Sequence, residues 1–306
     1  MEKKYKIAVF YYTQTGQLAD ILNSLLSPLR EKGCEVVYKK IELVDPLPFP
    51  WTSEQFYDIF PESRDEVPFP LKPMDFSDIM DADLIVLGYQ PWFLAPSIPI
   101  ASFLRTEEAR LYLSGRDVLA VGGTRNMWIS AIKSIKSRLD DSGAMLVGHI
   151  ALEDKHNNLV SVLTIFRWLI NGKKGASRFL PAAGVSPEDI QSVSSLSEDI
   201  FKSIISNEYS DLQKSIVEKG GLRFSPNIYF IEYNGNKIWG KWAKWVLKKG
   251  RYGDSARRFR LKMFKWYLLT LIFAISPFGS IFFAITWPLR RGRYETIKKN
   301  VLFLHF

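Results

Sequence analysis

Residues 6–22, KIAVFYYTQTGQLADIL, contain the pattern that decides the fold. Residues 7–12 are β-branched, aromatic or apolar, which is typical of a strand buried on both faces. Residues 13–17, TQTGQ, are small or polar, and apolar residues then recur at helical spacing at Leu18, Ile21, Leu22, Leu25 and Leu26. The sequence therefore predicts a buried strand that turns directly into an amphipathic helix.

The turn between this strand and helix has the features of an anion-binding site. The first amides of a helix lack intrahelical partners, and the helix dipole favours negative charge there. Thr13 and Thr15 add hydroxyl donors, and Gly16 lets the backbone approach a ligand closely. The turn has neither the lysine of a nucleotide P-loop nor the repeated glycines of a dinucleotide fingerprint. A phosphate site is one interpretation, and an ordinary N-capping turn is the alternative.

The strand and helix pattern continues along the first two thirds of the chain. Further apolar strands are predicted at residues 35–41, 82–88, 117–121 and 145–152. Their alternation with helices predicts an α/β fold, a doubly wound five-stranded parallel sheet with helices on both faces. We expect three parts: a sheet domain at 1–206, a basic amphipathic linker or interfacial helix at 207–262, and a hydrophobic membrane segment with a basic C-terminus at 263–306.

Residues 43–73 interrupt the alternation with seven prolines and interleaved aromatic residues. The prolines exclude a long helix or a central strand, and the aromatic residues argue against disorder. We interpret the stretch as an ordered excursion that forms a lid or an apolar wall at the ligand edge of the sheet. A surface loop that packs its own aromatic residues is the alternative.

Three loops are expected to meet at that edge. They follow the first, third and fourth strands and read TQTGQ at 13–17, YQPWFLAPS at 89–97 and GGTRNMW at 122–128. In doubly wound sheets, ligands lie beyond the carboxyl ends of the strands at the switch point of the strand order. An anion-binding turn beside two loops with aromatic and polar residues fits a flat heteroaromatic cofactor.

This arrangement resembles flavodoxin-like proteins, which bind FMN with the same three loops. The resemblance implies FMN phosphate binding by residues Thr13, Gln14, Thr15, Gly16 and Gln17. It also implies ring contacts from Pro91, Trp92 and Phe93, and contacts to the polar ring edge from Gly123, Thr124, Arg125, Asn126 and Trp128. Leu18 stands where the family pattern usually has a threonine, and we expect the side-chain amide of Gln17 to replace that hydroxyl.

Asp154 and His156 are the candidate catalytic pair, because they are acid–base side chains just after the fifth strand. A solvated loop histidine is the alternative interpretation. The single cysteine, Cys34, is expected to be a structural thiol, since no base or group of cations lies near it in sequence. With one cysteine and three histidines, we expect no metal site.

The last third of the chain is strongly basic. Residues 212–306 contain 19 Lys and Arg against 4 Asp and Glu, whereas residues 1–211 contain 22 against 28. This contrast predicts contact with an anionic surface. Residues 237–249 place Trp239, Trp242 and Trp245 on one helical face opposite lysines, which is an interfacial pattern. Because tryptophan accompanies the basic residues, the surface is expected to be lipid, and no nucleic-acid partner is expected.

Residues 266–289 are 24 residues without a charged side chain. As a helix they measure about 36 Å, enough to cross a bilayer core of about 30 Å. Residues 276–279, SPFG, interrupt the stretch, and five basic residues flank it on each side. A kinked span and a re-entrant hairpin both fit, and the equal charges favour the hairpin. The N-terminal MEKKYK runs into a strand, so no signal peptide is predicted and the protein is expected on the cytoplasmic face of the inner membrane.

The whole-chain pattern is similar to a narrower group, the flavodoxin-like proteins of bacterial dialkylresorcinol and flexirubin-type pigment pathways. The resemblance is carried by YYTQTGQL, FPWTSEQFYDIFPES, YQPWFLAPSIP, GTRNMW and HNNLVSVLTIFRW together with the basic tail. These proteins are often labelled condensing enzymes, but Cys34 lacks the partners of a condensing nucleophile. The resemblance therefore implies an FMN-dependent aromatase that converts a 2,5-dialkylcyclohexane-1,3-dione to a dialkylresorcinol.

The resemblance also implies a lipophilic small-molecule substrate, and it makes the pathway ketosynthase and a second copy of the chain hypothetical protein partners. Two other functions stay open. An NAD(P)H-dependent quinone or FMN reductase would be reduced rapidly by a nicotinamide. A membrane-tethered flavodoxin that carries electrons would stabilise a semiquinone and would lack a pocket for an organic substrate.

Overall fold

A computed structural model describes residues 3–306 and is built on a parallel sheet. The strands are β1 (Lys6–Tyr11), β2 (Glu35–Lys40), β3 (Leu84–Tyr89), β4 (Pro91–Trp92), β5 (Ala95–Pro96), β6 (Asp117–Thr124) and β7 (Met145–Glu153). Five of them form the sheet in the order β2-β1-β3-β6-β7, and β4 and β5 form a separate short hairpin. All four pairings within the sheet are parallel. The predicted flavodoxin-like doubly wound sheet is therefore confirmed.

Thirteen α-helices are present among residues 3–306. They are α1 (Gln17–Glu31), α2 (Ser53–Asp58), α3 (Phe60–Arg64), α4 (Ile98–Phe103), α5 (Glu107–Leu113), α6 (Ile129–Ser142), α7 (Asn158–Asn171), α8 (Pro187–Ser192), α9 (Ser197–Ser206), α10 (Leu212–Glu218), α11 (Pro226–Leu247), α12 (Arg258–Thr270) and α13 (Ser276–Leu302). A π-helical turn, Leu271–Ile275, joins the last two without a break.

Helix α1 packs closely against the sheet, as its apolar spacing predicts. Leu18, Ile21, Leu22, Leu25 and Leu26 are all fully buried in the main core. Two glycines on the neighbouring strands make this close packing possible. A Cβ atom at Gly88 would lie 2.8 Å from Leu22 Cδ1, and one at Gly123 would lie 3.1 Å from Ile21 Cδ1.

The main core extends past residue 206. Leu212 and Ile216 of α10 and Leu222 belong to it, and so do Val301 and Leu302 at the end of α13. The side chain of Gln213 ties these parts together, because it accepts from His149 N at 2.7 Å and donates to Leu302 O at 2.6 Å. The expected boundary at 206 therefore does not coincide with a change in packing.

Residues 43–73, termed the lid, are ordered and pack on the C-terminal helices. Trp51, Phe56 and Phe60 share a second apolar cluster with Trp92, Phe264 and Leu268. The rings of Phe60 and Phe264 stack at 3.6 Å between centroids. Helix α2 begins with a capping box at Thr52, and the backbone N–H of Trp51 donates to Leu169 O on α7 at 2.8 Å. The lid therefore joins the sheet domain to the tail.

The predicted interfacial face of α11 contacts protein. Trp239 lies against Phe60 and Phe264, Trp242 lies against Phe264 and Tyr267, and Arg260 covers the ring of Trp245. The three tryptophans are half-buried, so part of each ring is covered by protein, and the interfacial role of this helix stays a prediction. The lysine pattern is as expected, since Lys237, Lys241, Lys244, Lys248 and Lys249 are exposed.

The tail contains one helical segment, Ser255–Leu302, that is long and apolar enough to cross a membrane. The favoured hairpin turn at 276–279 is not formed, because the helix continues through these residues and Pro277 follows directly on the π-helical turn. The segment bends further along, at Pro288. The rings of Phe283 and Tyr294 are 5.3 Å apart, whereas eleven residues of straight helix rise about 16 Å.

Candidate functional site

The three predicted loops meet at the carboxyl ends of β1, β3 and β6. Gln14 N donates to Gln90 Oε1 at 3.3 Å, which joins the first loop to the second. A cavity of about 170 Å³ contacts all three loops and is otherwise apolar. It is lined by Gln14, Pro91, Trp92, Phe93, Leu94, Arg125 and Met127, by the lid residues Trp51 and Phe56, and by apolar residues of α7, α11, α12 and the π-helical turn.

The first loop has the geometry of an anion site. Gly16 has a φ of 86°, and its N–H donates to Thr13 Oγ1 at 3.1 Å. Thr13 and Thr15 are half-buried, and Gly16 is exposed with no heavy atom near the position of an added Cβ. The amides of Gln17, Leu18 and Ala19 begin α1 and have no intrahelical acceptor. Together these groups can hold a phosphate.

Gln17 does not supply the expected side-chain donor. Its Nε2 donates to Val185 O at 3.0 Å, and its Oε1 accepts from Val185 N at 3.1 Å. The side chain is buried and fastens the start of α1 to the segment that precedes α8. Only the backbone N–H of Gln17 is left for an anion, so the replacement of the missing threonine hydroxyl by this amide is corrected.

The second loop is a tight hairpin turn built from two large residues. Phe93 and Leu94 both have positive φ, 49° and 66°, between β4 and β5. Non-glycine residues in this region carry strain, which surrounding contacts must hold in place. Here the Phe93 ring lies 5.0 Å from Phe56 and 5.3 Å from Phe60, and Ser63 Oγ donates to Trp92 O at 3.1 Å. The lid therefore fixes the loop that lines the cavity.

The third loop is fixed by the start of α7. Arg125 Nη1 donates to Asn158 Oδ1 at 2.7 Å, and Asn126 Nδ2 donates to the same oxygen at 3.0 Å. Several buried polar side-chain atoms among residues 3–306 have no hydrogen-bond partner, and those in the three loops are Gln14 Nε2, Ser97 Oγ and Asn126 Oδ1. Gln14 Nε2 is a donor and Asn126 Oδ1 an acceptor. Buried polar atoms normally have partners, so a ligand with both kinds of group would satisfy these two atoms.

Arg125 is the only charged residue among the described residues that line the cavity. Burial lowers the pKa of its guanidinium to about 10, while the negative charges of Asp154 and Glu232 oppose that shift. The side chain is therefore cationic at neutral pH. It has no carboxylate within ion-pair distance in the described chain, so its charge is available to an anion in the cavity.

Three predicted ring-edge residues have structural roles instead of lining the cavity. Gly123 provides the close approach of α1, and Thr124 Oγ1 donates to Leu152 O at 3.3 Å. Trp128 is buried beneath the loop, where its Nε1 donates to Glu153 Oε1 at 2.5 Å and its ring meets His149. Their backbone groups lie in the third loop, but packing accounts for the side chains of Thr124 and Trp128.

A buried polar cluster lies below the third loop, and the sequence analysis missed it. Tyr89 Oη and His149 Nε2 are 2.9 Å apart, and burial lowers the pKa of His149 to about 3. Burial also raises the pKa of Glu153 to about 7, although the hydrogen bond from Trp128 opposes the shift. These residues lie in or at the ends of otherwise apolar strands, and no sequence signal shows that their polar groups meet each other.

Asp154 and His156 form the predicted pair but lie outside the cavity lining. His156 Nδ1 is 2.7 Å from Asp154 Oδ1, which also accepts from His156 N at 3.0 Å. The buried Asp154 accepts from Ser161 Oγ at 2.8 Å, so it orders the start of α7. The imidazole side chain is 39% exposed. A catalytic role for the pair stays a prediction.

Cys34 is buried, and burial raises the pKa of its thiol. No histidine contacts it in the described chain. Among residues 3–306, no group of three or more metal-binding side chains comes together.

A larger cleft of about 670 Å³ lies between α2 and α12 and contains none of the predicted cofactor residues. Its lining includes the basic residues Arg258, Lys262 and Lys265 and the acidic residues Glu54, Asp58 and Asp254.

Comparisons with known proteins give distant structural likenesses. No protein-family model matches the chain, and no curated protein does. A flavodoxin from the domain Archaea is 14% identical with a TM-score of 0.39, covering 65% of this chain and 99% of its own. A WrbA-like flavodoxin from Agrobacterium tumefaciens is 7% identical with a TM-score of 0.41, covering 67% and 100%. A flavoprotein in complex with FMN from Lactobacillus acidophilus NCFM is 16% identical with a TM-score of 0.37, covering 48% and 93%. At these values, function has to be inferred from the residues of this chain.

Proposed function

We propose that the protein is an FMN-dependent oxidoreductase that acts on a lipophilic substrate. The observation that carries the proposal is the single cavity that touches all three loops. Gln14 of the anion-binding turn lines it with an unpaired side-chain donor, Arg125 of the third loop lines it beside Asn126, and its other walls are mostly apolar. A flavin mononucleotide has a terminal phosphate, a polar ring edge with donors and acceptors, and an apolar ring face, so the chemical groups of the three loops match it.

The binding groups divide by chemistry. The hydroxyls of Thr13 and Thr15 and the free amides at the start of α1 would hold the phosphate. Gln14 Nε2 and Asn126 Oδ1 would pair with the polar ring edge. Trp92 and Phe93 line the cavity and would contact the ring, and the lid would keep water from it.

The specific reaction we propose is aromatisation of a 2,5-dialkylcyclohexane-1,3-dione to a dialkylresorcinol. The change removes two electrons and two protons from the six-membered ring. Bound FMN supplies the acceptor for a hydride, and the second proton leaves as the dione ionises to its enolate. Arg125 would stabilise the enolate oxygen, because it is the cation of an otherwise apolar cavity. The apolar walls from α7 and α12 would bind the alkyl chains.

Two features favour this reaction over the alternatives. A condensing enzyme needs an activated thiol, and the buried Cys34 has a raised pKa and no base. A flavodoxin that only carries electrons keeps the ring edge open, whereas here the lid and α12 roof the cavity. The remaining alternative is a nicotinamide-dependent reductase. The spectroscopic test below distinguishes it from the aromatase by the response of the flavin to NADPH.

The test is a visible absorption spectrum of the detergent-purified full chain, recorded without oxygen. We expect flavin bands that bleach when a dialkylcyclohexanedione is added, with the resorcinol formed in equal amount. Thr15→Val should weaken FMN retention, while Thr15→Ser, which keeps the hydroxyl, should not. Bleaching by NADPH but not by the dione would assign a reductase. A protein that takes up no FMN would overturn the proposal.

A further inference from the structure

The helical segment 258–302 presents an exposed apolar surface, termed the outer face. It consists of Trp266, Phe273, Ile275, Phe278, Ile281, Phe282, Ile285 and Leu289. Phe278 is 72% exposed, Ile285 is 73% exposed and Leu289 is 91% exposed. Such a continuous row of large apolar side chains is unfavourable in water and marks an interaction surface.

Both ends of this segment are fastened to the same folded unit. Arg257, just before α12, is buried and pairs with Asp58 at 2.7 Å and Glu62 at 2.5 Å in the lid. At the other end, Leu302 O accepts from Gln213, and Val301 and Leu302 lie in the main core. A segment that crossed the bilayer would have to release one of these ends.

The middle of the segment is also held against α11. Asn227 Nδ2 donates to Ser280 Oγ at 3.3 Å, and the rings of Phe230 and Phe283 are 5.5 Å apart. Helix α11 is fixed to the sheet domain in turn, because the buried Glu232 accepts from Ser130 N at the start of α6 at 2.5 Å. Crossing would carry the exposed lysines of α11 into hydrocarbon, which is strongly unfavourable for each charge.

Basic residues lie at both ends of the outer face. Arg258, Lys262 and Lys265 line the cleft beside α12, where Glu54 pairs with Arg258, and the exposed Arg291 and Arg293 follow Leu289. Cations that flank an apolar surface match the layers of a bilayer with anionic headgroups. This arrangement favours an anionic lipid leaflet over another protein as the occupant of the outer face.

The opposite side of the same helix lines the proposed cofactor cavity. Leu268 and Ile272 contribute to its wall, next to Ile165, Phe166 and Leu169 of α7. Ile165 and Ile272 are only half-buried, so the rim of the cavity lies where α7 meets the π-helical turn. On the same helix α7, Leu163 is 43% exposed.

We propose that the outer face lies in one leaflet of an anionic bilayer, with both ends of the helix on one side, and that the substrate enters the cavity from that leaflet between α7 and Ile272. The entry route rests on the proposed function, whereas the membrane placement does not. A substrate with alkyl chains concentrates in hydrocarbon, so an entrance at this depth removes the need to pass through water.

The membrane placement is tested on the full chain with a reporter fluorophore at Phe278→Cys. The matched control is Met145→Cys, an exposed apolar position at the amino-terminal edge of the sheet. When phosphatidylcholine vesicles that contain phosphatidylglycerol are added, we expect the emission of the fluorophore at position 278 to increase several-fold and that at position 145 to stay unchanged. Added salt should weaken the increase at 278. No change at 278 would refute the placement.

Topology is read on the same vesicles with a membrane-impermeant maleimide. Arg258→Cys and Arg291→Cys should both react from the side to which the protein was added. Reaction at 258 with protection at 291 would show a span and overturn the proposal. Neither this measurement nor the fluorescence requires flavin. Both therefore test the membrane placement even if the protein binds no flavin and the proposed function fails.

The entrance is tested by Ile272→Trp, which narrows the rim, with Ile275→Trp on the outer face as control. The transfer of a long-chain alkylresorcinol from vesicles to the protein is measured by the quenching of tryptophan fluorescence. The measurement can be made on protein that contains flavin or lacks it. We expect at least a tenfold slower transfer in Ile272→Trp alone, and an unchanged rate for a short, water-soluble alkylresorcinol. Equal long-chain rates in the two variants would refute the route.

Discussion

Arg125 concentrates the chemistry of the cavity in one side chain. Its guanidinium is positioned by Asn158, faces an apolar space and has no carboxylate within ion-pair distance in the described chain. A buried cation without an ion pair is costly unless a ligand supplies the negative charge. The sequence marked Arg125 only as one member of a loop, since its isolation from other charges depends on the fold.

Arg125→Met should therefore weaken binding of the anionic substrate more than that of the cofactor. A hydrogen bond to a charged group contributes about 1.5–3 kcal/mol, which corresponds to roughly 10- to 100-fold in KM for the dione. Arg178→Met, in an exposed loop, removes the same charge and should leave KM unchanged. Steady-state kinetics at constant flavin occupancy measures both, and equal KM values for the wild type and Arg125→Met would contradict the assignment.

Glu153 gives the fold a pH dependence with a defined sign. Its pKa rises from 4.5 to about 7 in the folded chain because burial penalises the carboxylate. The folded state therefore holds a proton that the unfolded state has lost, so stability falls as pH increases from 4.5 to about 7. His149 acts in the opposite direction, since its folded pKa of about 3 makes stability fall below pH 6.5.

Glu153→Gln removes the first effect and keeps an acceptor for Trp128 Nε1. We expect the variant to gain stability relative to the wild type by ~2 kcal/mol between pH 5 and pH 8. Urea unfolding of both proteins across that range is the measurement. The contribution of His149 is the same in both proteins and cancels from the difference in their free energies of unfolding. A difference that does not vary with pH would show that Glu153 ionises normally.

At the scale of elements, the lid and the tail act as one unit. The link is the buried Arg257, whose guanidinium meets Asp58 and the buried Glu62. The sequence predicted an ordered lid from its prolines and aromatic residues, and it predicted tryptophans along α11. It did not show that they pack on each other, because amphipathic spacing gives a face but not its partner.

Arg257→Met should destabilise the protein strongly. Removing one member of a buried pair leaves the other charge uncompensated, which costs about 3–5 kcal/mol. The matched control is Arg258→Met. Arg258 and its partner Glu54 are each 70% exposed, so we expect this substitution to have little effect on stability. Thermal unfolding and hydrogen exchange of residues 43–73 report the difference. Similar exchange in the two variants would mean that the lid does not depend on this link.

Across the whole molecule, the C-terminal third completes the sheet domain. The sequence predicted the five strands and the three loops correctly, because buried strands and helix spacing are local patterns. It placed a boundary at 206, where a predicted helix ends shortly before the composition changes at residue 211. The cores do not follow that change, since Leu212, Ile216 and Val301 lie against the sheet.

A chain that ends at Ser206 should not fold stably. It loses Leu212, Ile216, Leu222, Val301 and Leu302 from the core, and each large buried apolar side chain contributes about 1.5–3 kcal/mol. Their sum is comparable with the total stability of a domain, about 5–15 kcal/mol. The control is the full chain with Phe278→Ser and Ile285→Ser, which should stay folded and need less detergent. Circular dichroism and a cooperative thermal transition in the shortened chain would disprove this.

The π-helical turn at Leu271–Ile275 sets the rotational phase between two halves of one long helix. Before it, Leu268 faces the cavity; after it, Phe278 and Ile285 face outward while Ser280 meets Asn227. Each residue advances a helix by about 100°, so deleting one residue here would turn the following half by that angle. The apolar side chains of the outer face would then leave the exposed side of the helix, and Ser280 would lose its position against Asn227 of α11. The number of residues in this turn is therefore more tightly constrained than their identity.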